Sequence, residues 1–191
     1  MLLFSFLSFS FPCRKNNYTH IGNPLIKRAI DNAITKGRYE LGCIVVASSG
    51  NSTKSGSPIK FPANYREEII AVGNLKNDGI LNNQSCIGNA MFVCAPGTDI
   101  LSTIVGNTYN EMTGTSMACP HVSGVLGLML ELQPDITNSQ VKEILAKSTK
   151  KIGHLPYTVS NKFGTWNEYY GYGLIDASKA IINTIEHSLN Q

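Results

Sequence analysis

From Ser116 to Leu132 the chain runs as one long apolar segment, dense in small residues (Ala118, Ser123, Gly124, Gly127) and closed by Pro134. A segment of this length and polarity is read as a helix buried in the body of a domain, with the small residues letting neighbours approach closely. Gly114 precedes it, so Ser116 stands where a helix begins, beside unpaired N–H groups and the positive end of the helix dipole. Spacing alone favours an N-capping role for this serine. A nucleophilic role needs the same rigid mount, together with a base and an oxyanion site.

The remaining pattern supplies a sheet for that helix. Ile26, Ile30 and Ile34 recur beside Leu25, Ala29 and Ala33, which predicts a helix from Pro24 that stops at Gly37. Cys43–Ala47 is a short β-branched run, read as a strand buried on both faces. Ile69–Val72 and Met91–Cys94 are further strands. Ile100–Val105 pairs with the segment after the turn dipeptide Gly106-Asn107. Ser52–Tyr65 reads as a surface loop. Thr137 with Gln140 predicts a capping box for a helix carrying Val141, Ile144 and Leu145. Asp176 N-caps a final helix that turns Ala180, Ile181 and Ile185 to one face. Helix followed by buried strand is half of a parallel βαβ unit, so the chain is placed in the α/β class. The first dozen residues alternate Phe, Leu and Ser without a basic flank or a small-x-small cleavage site. They are expected to form a core strand that is not removed, and they are too short to span a bilayer.

Composition excludes several roles. With 42% hydrophobic and 15% charged residues, the 191-residue chain has ample material for a core. A net charge of +3 without a Lys/Arg run offers no footprint for nucleic acid or an anionic membrane. Five cysteines without a C-x-x-C pair argue against a disulfide framework and against zinc. Cys43, Cys94 and Cys119 are expected to be small buried hydrophobes.

The segment GTSMACPHVSG (Gly114–Gly124) resembles the serine-nucleophile motif of the subtilases, the subtilisin-like serine proteases. The likeness continues in order: PLIKRAIDNAITKGR, CIVVASSGN, IIAVGNL, FVCAPGTDILST and YYGYGLIDASKA resemble successive family segments, covering about residues 20–187. The resemblance implies a three-layer α/β fold with a mainly parallel central sheet flanked by helices, N-terminally truncated, with residues 1–191 as part of one peptidase domain. It implies that Ser116 is the nucleophile and that Asn51 donates its side-chain N–H to the oxyanion. Ser48, Ser49 and Gly50 fall where the family lines its primary specificity pocket. The substrate implied is a polypeptide, the location secreted or cell-surface. Asn51, Asn17 and Asn83 each begin a glycosylation sequon, read as coincidence at Asn51. No cofactor is implied, and no acidic loop marks a calcium site, so no metal is assigned.

One departure qualifies the likeness. The family carries its Asp and His upstream of the asparagine strand, and the residues before Asn51 hold no D-T/S-G strand end and no H-G-T helix start. His121 is five residues past Ser116 on one helix, about 140° away, and is expected to serve helix packing. His20, His154 and His187 read as solvated, and Asp31 and Asp99 as structural. Two functions therefore stand: an endopeptidase domain incomplete in this chain, or a non-catalytic peptide-binding or structural remnant of one. An α/β-hydrolase esterase is set aside, because GTSMA is not a G-x-S-x-G elbow.

Overall fold

The computed structural model describes residues 4–6 and 23–190. Four strands form one parallel sheet in chain order: β1 (Phe4–Phe6), β2 (Val45–Ser48), β3 (Ile70–Leu75) and β4 (Met91–Pro96). Val46 stands opposite Ile70, and Val72 opposite Val93. Every residue of β2 and β3 is buried, as expected for β-branched runs in a parallel sheet covered by helices. β1 pairs with β2 in parallel, Phe4 opposite Val45. The rest of the expected N-terminal strand lies outside the described residues, as do Cys13, Asn17 and His20.

Helix α1 (Pro24–Lys36) leads into β2 and buries Ile30 and Ile34. Asn23 caps it, its side chain accepting from Leu25 N at 2.9 Å. Between β4 and the next helix stands an antiparallel hairpin, β5 (Ile100–Ile104) and β6 (Thr108–Met112), almost wholly exposed. Helix α2 (Thr115–Leu132) packs across β2, β3 and β4, and α4 (Ala177–Leu189) packs on α2 and on α3 (Asn138–Ser148). A short hairpin, β7 (Val159–Asn161) and β8 (Gly164–Trp166), precedes α4. Ala118, Cys119, Val122, Leu126 and Met129 of α2 are fully buried, which seats the helix on the sheet. The expected capping box closes α3, with Thr137 and Gln140 bonded in both directions.

Several expectations need correction. Gly124 and Gly127 do not serve close approach, since a Cβ on either meets nothing within 4 Å; only Ala118 and Ser123 of that set are buried. On α4 the inward positions are Ala180 and Thr184, while Ile185 is 44% exposed. The Thr184 hydroxyl donates to the Ala180 carbonyl, which satisfies it within its own helix. The loop 52–65 is not all surface, because Ile59 and Ala63 are buried in the core. The four described cysteines are all buried and unbridged. Burial drives the Cys94 thiol well above the ordinary range.

At the amino ends of β3 and β4 a cavity of about 700 Å3 opens between Arg66, Ile69, Met91, Phe92, Lys142 and Trp166. It is remote from Ser116 and Asn51, neither of which lines it. Lys142, only 8% exposed, donates its ammonium to the Glu67 carbonyl and lies 4.5 Å from the centre of the Phe92 ring. Burial lowers its pKa to about 8; the carboxylates of Glu67 and Glu68 oppose that shift and Lys162 adds to it. Between about pH 8 and 10.5 the unfolded chain therefore holds a proton that the folded chain has lost, and stability from this group rises with pH. Against Lys142→Met, urea unfolding of the wild-type chain should show a relative gain on the order of 3 kcal/mol across that window. A flat difference between the two proteins would refute the assignment.

Candidate active site

The carboxyl ends of β2 and β4 meet the amino end of α2, the side of a parallel sheet where ligands bind. Past Ser48, the buried segment Ser49–Gly50 continues the line of β2. Ser49 N donates to Val72 O at 2.9 Å, Lys60 N donates to Ser49 O at 3.0 Å, and Cys86 N donates to Gly50 O at 2.9 Å. Asn51 then bridges to Ser85. Ser48, Ser49 and Gly50, expected to line the specificity pocket, are buried, with residues 59–60 along one side and 85–86 along the other.

Asn51 and the start of α2 are brought together. The Asn51 Oδ1 accepts from Thr115 N at 3.0 Å and from Thr115 Oγ1 at 3.1 Å. With both lone-pair directions of that oxygen taken, the carboxamide is fixed in orientation. Its Nδ2 lies against Gly114, where a Cβ would come within 3.1 Å of it. Ser116 follows one residue later, in the first turn, partly exposed. Thr115 is a site residue that the sequence pattern does not single out; its one signal there is that it directly precedes the serine.

A second layer holds this seat. Gly114 N donates to Gly97 O at 2.8 Å, and Gly97 N to Leu75 O at 3.1 Å. A Cβ on Gly97 would stand 2.6 Å from Asn74 Oδ1, 2.8 Å from Gly114 O and 3.0 Å from the Ala118 Cβ. Glycine is required there by contact. Asn74, buried in β3, accepts from Thr98 Oγ1 at 3.1 Å, and its backbone N–H donates to Ser85 Oγ at 3.1 Å.

The ionisable residues fall as follows. His121 is exposed, one ring nitrogen 2.9 Å from the Met117 carbonyl, so it caps its own turn and does not pack between helices as expected. His154 is exposed in a loop and His187 lies near the end of α4. Asp31 accepts from Tyr65 and Arg66, and Asp99 from Thr113. Among the described residues no three His, Cys, Asp or Glu side chains converge to hold a metal ion.

Gly97→Ala should lower stability by about 1–3 kcal/mol, the usual cost of overpacking, and should shift the Asn51 side-chain amide resonance. Gly124→Ala, on the open side of the same helix, should instead stabilise by about 0.5–1 kcal/mol. Chemical denaturation of both variants, with amide NMR of the first, provides the comparison.

Comparison with known proteins gives the family. The Subtilase family profile matches residues 9–173. Subtilisin DY of Bacillus licheniformis is 37% identical over 161 residues, 83% of this chain and 52% of that protein. Subtilisin E of Bacillus subtilis (strain 168) is 36% identical, again over 83% of this chain but 38% of its own length. Subtilisin BL of Lederbergia lenta is 31% identical over 170 residues. The chain thus spans between 38% and 57% of the length of these relatives, and it belongs to the subtilase family.

Proposed function

We propose that the chain carries the nucleophile and oxyanion portion of a subtilisin-type serine endopeptidase, as part of one peptidase domain. The observation that carries this reading is the Asn51 carboxamide held on Thr115, one residue ahead of Ser116 at the amino end of α2. In this reading the Ser116 Oγ bonds to the carbonyl carbon of a peptide, and the oxyanion formed accepts from Asn51 Nδ2 and Ser116 N. The C–N bond then breaks, and the serine proton leaves with the amine. That proton transfer needs a base, and none of the described histidines is disposed to serve. A polypeptide substrate and a secreted or cell-surface site of action go with the family. No described helix is long and apolar enough to cross a membrane.

The 191-residue chain by itself should hydrolyse fluorogenic peptides only weakly, because the D-T/S-G and H-G-T segments that carry the family's acid and base are not found in its sequence. In subtilisin, whose magnitudes are borrowed here, losing the histidine alone costs about 2 × 10⁶ in turnover, and the oxyanion site with substrate binding leaves roughly 10³–10⁴ over water. Slow fluorophosphonate labelling should map to Ser116, vanish in Ser116→Ala and fall about 10²–10³-fold in Asn51→Ala, again the size known for subtilisin. Labelling indifferent to both substitutions would overturn the reading in favour of a non-catalytic remnant. Fast, Ser116-dependent turnover would place a base within this chain, with His20 the first residue to replace.

A further inference from the structure

A cation, Lys60, stands along one side of the proposed cleft. Lys60 runs beside Ser49, its backbone N–H bonded to the Ser49 carbonyl. Its stem crosses the open face of Gly50: a Cβ there would meet Lys60 Cδ at 3.1 Å, Lys60 Cγ at 3.2 Å and the Cys86 Sγ at 3.4 Å. Gly50 also holds φ +105°, a backbone conformation that favours glycine. The ammonium reaches the Asn51 carbonyl, Nζ to O 2.7 Å. The charge thus stands at the backbone of the residue whose carboxamide faces the serine turn.

We infer that Lys60 makes this cleft selective for polypeptides carrying an acidic side chain, Glu or Asp, on the residue that supplies the scissile carbonyl. The inference rests on the endopeptidase reading above. In that reading Ser48, Ser49 and Gly50 form the floor, Ile59 with Lys60 one wall, and Ser85 with Cys86 the other. No carboxylate is among them, and none of the described ion pairs includes Lys60. Its described bond is to a neutral carbonyl, which a carboxylate surpasses as an acceptor because the bond becomes charge-assisted. A lysine or arginine on the substrate would meet a like charge instead, so the same residue attracts one class and repels another. The charge is felt on the opposite wall, where burial raises the Cys86 thiol pKa and Lys60 pulls against that rise.

The test reads binding, so it does not depend on turnover. Fluorescein-labelled hexapeptides identical except for a last residue of Glu, Gln or Lys would be titrated by anisotropy into the full 191-residue chain. The Glu peptide should bind about 5-fold more tightly than the Gln peptide, the upper range for a solvent-accessible ion pair. The Lys peptide should be weakest, and the spread should narrow in high salt. Lys60→Glu should reverse the order and Lys60→Met should level it; Lys60 is exposed, so both variants should fold. Equal binding of the Glu and Gln peptides, or a preference that persists in Lys60→Met, overturns the acidic selectivity alone, provided binding still requires Asn51. If none of the peptides binds, or Asn51→Ala changes nothing, peptide does not occupy this cleft and the endopeptidase reading falls as well.

Discussion

Thr115 directs both its backbone N–H and its hydroxyl to a single atom, Asn51 Oδ1, and the arrangement of the cleft follows from that convergence. Two donors on one oxygen leave the carboxamide no freedom to flip, so its amino group is committed to the Gly114 side. The bonds also tie the end of β2 to the first turn of α2 across 64 residues of sequence. Helix and strand are thereby set relative to each other by the group that the proposed chemistry requires.

That junction is only as rigid as its support. α2 is held on the sheet by a column of fully buried side chains, from Ala118 to Met129. Its amino end is held by the Gly97–Gly114 bond and by a contact too tight for any side chain on Gly97. Pro120 sits inside the helix and cannot supply the N–H that would ordinarily reach the Ser116 carbonyl. The first turn is therefore less secured by its own helix than an uninterrupted one, and depends more on Asn51 and Gly97.

Periodicity and turn chemistry suffice to read the α/β order, the four main helices and the β5–β6 hairpin, because each is specified locally. The strand edges differ from the sequence pattern by up to three residues; β2 and β3 run past their apolar runs because Ser48 and Asn74 are polar yet lie buried where the sheet meets α2. Ile185 belongs to the apolar stripe of its helix and is nonetheless 44% exposed, while its neighbour Thr184, its hydroxyl satisfied by the Ala180 carbonyl, is fully buried. His121, expected between helices, turns its ring outward to its own helix backbone. Asn51 and Ser116 are legible only through a long motif. Thr115 and Lys60 escape the sequence pattern, because their importance comes from contacts with residues distant in sequence or folded back by a loop, which no local pattern encodes.

A parallel sheet has unlike ends, and this one uses them differently. At the amino ends of β3 and β4 a buried ammonium stands against an aromatic ring, a costly arrangement that burial makes pH-sensitive. At the carboxyl ends the cation beside the proposed cleft, Lys60, is solvent-accessible and its bonded partner is a neutral carbonyl. The difference is one of solvation. Lys142 loses hydration on folding, so its charge acts mainly on stability; Lys60 keeps its hydration, so its charge remains available to whatever enters the cleft. The same side-chain chemistry thus bears on the fold at one end of the sheet and, in the proposed reading, on recognition at the other.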